Sequence, residues 1–185
     1  MGFHTFDAGH AERLEDEGRY RYVSVDELLA LFDPSEDDVV ADFGSGTGFY
    51  TDDVAPYVDT VHAVDVQEEM HAFYREKGAP DNVAFVTAEV ADLPFDDDAL
   101  DGAFTTMTFH EFATEESMAE VARVLAPGAR FGVADWSANG RGEAGPPRDE
   151  RYALADAEAM AEAAGLVVEH GSERRETFVA SLRAE

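Results

Sequence analysis

The 185-residue sequence contains no cysteine. That absence excludes disulfides, thiolate metal sites and cysteine nucleophiles. Basic residues are scarce: 13 Lys and Arg stand against 41 Asp and Glu, a formal charge of −28 at pH 7. A surplus of this size argues against nucleic acid and anionic membranes as partners, since both are polyanions. No unbroken apolar run approaches the length that spans a bilayer, so no stable membrane insertion is expected. The opening MGFHTFDAGH has neither a basic start nor a long apolar stretch. It does not read as a secretion signal, and a cytoplasmic chain is expected. The six histidines are scattered, and neither HExxH nor a paired-carboxylate metal pattern occurs, so no metal site is expected.

What is present suits a folded domain. The composition is 45% hydrophobic and 11% aromatic, enough to build a core despite the charge. The length suits one domain over residues 1–185, with residues 1–34 as an N-terminal arm and helix covering a site. The acid falls mostly at positions that read as solvated faces and turns. Such a surface suggests a halophilic protein, whose self-repulsion is screened by high salt. Unfolding in dilute buffer is the expected consequence, and a stability indifferent to salt would count against it.

Residues 1–23 are polar with scattered aromatics and read as an irregular or partly helical arm. Ser24 precedes VDELLALF with Glu27 three residues on, which predicts a capping box and a helix ended by Pro34. Apolar runs then predict strands at Val39–Phe43, Thr60–Val64, Val83–Ala88, Gly102–Thr106 and Arg130–Ala134. Helical patterns separate most of them: Tyr50–Tyr57, Gln67–Lys77, and EESMAEVARVLA, capped by Thr114 and closed by Pro127 and Gly128. Leu154–Ala164 is a further helix, with Gly165 placed to terminate it. Two last runs, Leu166–Glu169 and Glu176–Leu182, are joined by a GSERR link too short for a crossover, which predicts an antiparallel hairpin. The alternation predicts an α/β fold, a mostly parallel sheet with helices on both faces. Pro94–Ala99 and Ser137–Glu150 read as loops, the second as a linker or a lid.

The chemistry concentrates in VVADFGSGTGFY. Gly44, Gly46 and Gly48 follow a strand and precede a helix, where bare amides can meet a ligand at a strand's carboxyl end. The spacing is neither GxxxxGK[ST] nor GxGxxG. Asp42 beside the turn would repel a pyrophosphate and suits a cationic ligand. Asp65 lies 17 residues after Gly48 at the second strand's end, where a carboxylate can accept both hydroxyls of a ribose. Glu89 can accept from an exocyclic amine, and the amides of Val90 and Ala91 can meet ring nitrogens. A ribose and a base without phosphate describe an adenosyl ligand with a charged tail.

With these residues the chain resembles the class I S-adenosylmethionine-dependent methyltransferases, and within them the small ubiquinone/menaquinone-biosynthesis-like branch. The resemblance is carried by VVADFGSGTG, VHAVDVQEEM, TAEVADLPFDDDALDGAFTTMTFHEF and ARVLAPGARFGVADW, over residues 37–136. It implies a Rossmann-like seven-stranded sheet with the last strand antiparallel, and S-adenosyl-L-methionine as cofactor. It also implies that Gly44, Ser45, Gly46 and Gly48 form the cofactor turn, with Asp42 positioning the methionine amino group through water or that loop. Asp65 would hold the ribose diol, Glu89 and Val90 would frame the adenine, and Val66 and Thr106 would be further cofactor-binding residues. Glu89 stands where the family usually has aspartate, and Gln67 where serine is commoner.

On the acceptor side, His110 and Glu111 in TMTFHEF are the candidate acid–base residues; a packed loop histidine is the competing reading for His110. Asp135 and Trp136 end the fifth strand on the same edge. Trp136 reads as a wall of the acceptor pocket or a core anchor. Tyr20 and Tyr22 either close over the pocket or fill a groove between arm and sheet. Arg148 and Arg151 are candidates for an anionic acceptor, with a solvated loop as the safer reading. The expected reaction is methyl transfer to a small-molecule acceptor whose identity the sequence leaves open, as it does the oligomeric state. The alternatives are an NAD-dependent oxidoreductase and a non-catalytic cofactor-binding protein.

Overall fold

The computed structural model describes residues 8–185, so Phe3, His4 and Phe6 of the arm lie outside the described residues. The arm continues as two 3-10 helices, Ala8–Glu15 and Glu17–Arg21, and leads into α1, Val25–Phe32. The Ser24 hydroxyl accepts from the Glu27 amide at 3.3 Å, as a cap should. The expected box is only half made, because the Glu27 carboxylate is engaged by the Arg174 guanidinium instead.

Seven strands form one sheet in the order β3-β2-β1-β4-β5-β7-β6. They are β1 Val39–Phe43, β2 Thr60–Asp65, β3 Val83–Thr87, β4 Leu100–Thr106, β5 Leu125–Trp136, β6 Val167–Glu173 and β7 Thr177–Arg183. The pairs β1–β2, β2–β3, β1–β4 and β4–β5 are parallel, and β7 runs antiparallel to both β5 and β6. Between the strands lie α2 Phe49–Val54, α3 Glu68–Lys77, α4 Phe109–Phe112, α5 Glu115–Val124 and α6 Leu154–Ala163. After β3 the chain crosses to the other side of β1, so the strand order reverses between β1 and β4. Open parallel sheets bind ligands at such a switch point, beyond the carboxyl ends of the strands.

Alternation along each strand splits the core over two faces. Val40 and Phe104 point to the cluster with Leu28, Leu31, Phe32 and Val54 of α1 and α2. Ala41, Phe43, Ala103 and Phe131 point to the cluster with Met118, Val121, Ala157 and Ala161 of α5 and α6.

Three terminations bear on the sequence reading. Thr114 and Ser117 cap α5 reciprocally, at 2.8 and 3.1 Å. The helix stops at Val124, before the expected Pro127–Gly128, because Leu125 turns extended and pairs with Leu100. Residues 126–129 then bulge, with Gly128 at φ +89°, before Arg130 pairs with Gly102. Gly165, at φ +87°, closes α6 where the sequence places it. The hairpin forms as expected but is tighter, since β6 runs through Glu173 and only residues 174–176 turn.

Candidate active site

The β1–α2 turn is built on backbone that side chains resist. Gly44, Gly46 and Gly48 have φ of +77°, +53° and +79°. A Cβ on Gly48 would lie 2.1 Å from the Tyr74 ring, so this glycine lets α3 pack against the turn. A Cβ on Gly46 would meet only Leu14, at 3.4 Å, which leaves that position bare toward the arm. The turn is held by its neighbour strand: the amides of Gly44 and Ser45 both donate to the Val64 carbonyl at 2.9 Å.

Asp65, at the tip of β2, reaches back across this turn. Its Oδ2 accepts from the Gly46 amide at 2.8 Å and its Oδ1 from the Gln67 amide at 2.9 Å. Each oxygen keeps a further lone pair for a hydroxyl donor. Burial raises the Asp65 pKa, and the two amide hydrogen bonds oppose it.

A cavity of about 680 Å³ opens beside the turn. Of the residues expected to bind cofactor, Gly44, Ser45, Gly46, Asp65, Val66, Glu89, Val90 and Thr106 line it; so do His110 and Glu111. Gly48 and Asp42 do not. Asp42 is 1% exposed and lies behind the turn, its Oδ2 accepting from the Thr51 hydroxyl at 2.6 Å. Burial pushes its pKa up to about 7, Thr51 and Arg19 act against the rise, and Asp65 adds to it. Any influence of Asp42 on a ligand therefore passes through the turn. Met107, on the cavity wall at the end of β4, has φ +59°, a backbone conformation that a side chain disfavours.

His110 lies in the first turn of α4, and Asp135 is the penultimate residue of β5. The His110 amide donates to Asp135 Oδ2 at 2.7 Å, and its Nδ1 lies 3.0 Å from both carboxylate oxygens. Its Nε2 lies 3.9 Å from Glu111 Oε1. Asp135 is 0% exposed. Burial works against the imidazolium, but the charge and hydrogen bond of Asp135 outweigh it, and His110 titrates above its ordinary value. The sequence placed Asp135 on this edge without pairing it to His110; a histidine just past the end of one strand and an aspartate at the end of the next were the available signal.

The remaining walls come from distant segments. Trp136 lines the cavity, which favours the wall over the core anchor. Tyr22 packs on it from outside at 4.7 Å. Tyr20 packs on Phe49 at 4.9 Å and donates to Asp53 at 2.7 Å. Neither tyrosine lines the cavity, so both fill the groove. The arm contributes Arg13, Leu14 and Arg19, none of which the sequence singled out. Glu15 ties the arm down, accepting from the Thr47 hydroxyl at 2.5 Å and from Lys77 at 3.1 Å. Gly145, Pro146 and Glu150 form the opposite wall. Their loop is neither a plain linker nor solvated around Arg151, which is 7% exposed. Its guanidinium donates to the carbonyls of Ala144, Pro146 and Ser137, and pairs with Glu176 at 3.7 Å. Arg148 donates to the Ala138 carbonyl. Neither arginine lines the cavity, so neither is placed to meet an acceptor.

Comparison with known proteins agrees with this geometry. A family model described as a methyltransferase domain matches residues 41–133, just over half of the chain, and the chain belongs to that family. A solved S-adenosylmethionine-dependent methyltransferase from Aquifex aeolicus superposes with a TM-score of 0.88 at 29% identity, covering 98% of this chain and 100% of that one. An uncharacterized methyltransferase-like protein of Schizosaccharomyces pombe is 33% identical over 99 residues, 53% of this chain and 38% of that protein. A demethylmenaquinone methyltransferase of Clavibacter sepedonicus is 33% identical over 100 residues, 53% of this chain and 41% of that protein. The matched segments thus span about two fifths of these curated relatives.

The fold is that of the class I S-adenosylmethionine-dependent methyltransferases, S-adenosylmethionine is the cofactor of the class, and the NAD-dependent reading is set aside. The residues present fit that cofactor: Gly46 is bare, the Ser45 Oγ is buried with no hydrogen-bond partner among the described residues, and Asp65 stands at the cavity. Among the described residues no helix is long and apolar enough to cross a membrane.

Proposed function

We propose that this chain transfers the methyl group of S-adenosylmethionine to a small acceptor, in the cytoplasm, and that His110 takes the acceptor's proton. The observation that carries the reading is the His110–Asp135 pair on the wall of the same cavity as the glycine turn. The bound cofactor supplies an electrophilic methyl group on a sulfonium. The chain's task is to align the nucleophile with it and exclude water. In this reading Ser45 and Gly46 meet the methionyl tail, Asp65 the ribose, and Glu89 and Val90 the adenine. Asp135 accepts from Nδ1–H of His110, which leaves the Nε2 lone pair of the neutral ring to take a proton. Glu111, beside Nε2, orients the acceptor. The arm, as part of a single domain over 1–185, covers the site; Arg13, Leu14 and Arg19 on the cavity wall support that role. Phe49, Phe112 and Trp136 line the cavity, and a relative named for demethylmenaquinone adds weight to a hydrophobic, ring-bearing acceptor.

Titration calorimetry in molar salt tests the binding half: S-adenosylhomocysteine is expected to bind and NAD is not. NAD binding without the adenosyl ligand would reverse the reading. For the chemical half, His110→Ala is expected to lower turnover about 10²- to 10⁴-fold and to leave S-adenosylhomocysteine affinity unchanged. Undiminished turnover would remove His110 as the base.

A further inference from the structure

Arg19 is out of balance with its surroundings. The chain carries 41 acidic residues, yet among the described residues no carboxylate lies within ion-pair distance of this guanidinium. Arg19 lines the cavity next to the glycine turn. Its Nη1 donates to the Leu14 carbonyl at 2.7 Å, and its flat face covers the Phe49 ring at 4.9 Å. These contacts fix its place; Asp42 and Glu15 act on its charge only from beyond ion-pair distance. The acids around it are already committed: Glu15 to Thr47 and Lys77, Asp42 to Thr51 behind the turn. A cation drawn out of water without an anion is costly, and a guanidinium fork suits a carboxylate in two-point contact.

We infer that Arg19 receives the carboxylate of the cofactor's amino-acid tail, so that the arm, and not only the turn, recognises the methionyl end. The inference rests on the cofactor reading above and adds a binding residue outside the glycine motif. It separates Arg19 from a strut, because a strut would act on any adenosyl ligand, whereas a carboxylate receptor acts only on ligands that carry the tail.

The test is calorimetry with two ligands on the whole chain in molar salt. S-adenosylhomocysteine carries the amino-acid tail; 5′-methylthioadenosine shares the nucleoside and sulfur and lacks it. Arg19→Gln is expected to weaken S-adenosylhomocysteine about tenfold or more while methylthioadenosine binds as to the unmodified protein. Arg19→Lys, which keeps the charge, is expected to recover part of the loss and guards against a misfolded glutamine variant. Equal weakening of both ligands by both variants, or unchanged S-adenosylhomocysteine affinity, overturns the inference. An unmodified protein that binds neither ligand would instead overturn the cofactor reading on which the inference stands.

Discussion

The two sides of the cavity are built in opposite ways. The turn side runs from β1 through α3, within one βαβ unit, and its decisive contacts are made by backbone amides. Asp65 bonds Gly46 and Gln67, and the turn amides bond Val64. The far side is assembled from the arm, the β4 and β5 ends and the loop before α6. Its decisive contacts join side chain to side chain: His110 with Asp135, Arg151 with Glu176. The turn side presents backbone amides and a carboxylate to a ligand of one shape. The far side presents side chains, which can change without disturbing the turn. In the proposed function, binding a common cofactor and choosing an acceptor are thus laid on separate pieces of chain.

That separation can be broken from either side. Arg151→Ala leaves Glu176 buried without its cation and is expected to cost about 3–5 kcal/mol by denaturant unfolding. At temperatures where the variant stays folded, S-adenosylhomocysteine affinity should be kept; a parallel loss of that affinity would erase the distinction. Gly48→Ala attacks the other side. It combines a left-handed backbone with a clash on Tyr74 and is expected to cost about 2–4 kcal/mol.

Asp42→Asn sharpens the comparison through pH. The folded pKa of about 7 lies above the ordinary 3.8, so the folded state holds its proton longer than the unfolded one. Stability therefore falls as pH rises from about 4 to about 7, and the full cost is present above that range. The variant is expected to be more stable than the parent by roughly 1–3 kcal/mol at pH 8, with no gain at pH 4. Asp135→Asn acts on rate rather than fold. Activity should rise with pH as His110 loses its proton, with a midpoint above the ordinary value of about 6.5. Removing the Asp135 charge should lower that midpoint, since the charge and hydrogen bond of Asp135 are what raise it. Smallest is Gly46→Ala, whose Cβ clears Leu14 and which should cost about 1 kcal/mol, the left-handed backbone alone.

The same division governs what the sequence could reveal. The strand candidates all became strands, because each is a short apolar run bounded by turn residues. The glycine turn and the place of Asp65 beside it were legible because motif and strand end coincide in one βαβ unit. Leu125 shows a limit: its helical neighbours extend the pattern, but pairing with Leu100 and full burial win over propensity. Glu27 shows another, since its cap role yields to Arg174, a residue 147 positions away. Arg151 looked like a solvated charge and Arg19 drew no reading, because nothing local distinguishes a surface arginine from one folded inward. Their partners are carbonyls and rings that only the tertiary fold supplies.

The loop before α6 carries a consequence for traffic. Its carbonyls converge on a single inward-turned guanidinium, and Gly142 donates to the carboxylate that guanidinium faces. A segment nailed from within behaves as masonry, not as a door. If this rim stays fixed, exchange of ligand falls to the rest of the cavity mouth, and the spacing set here limits the width of what is admitted.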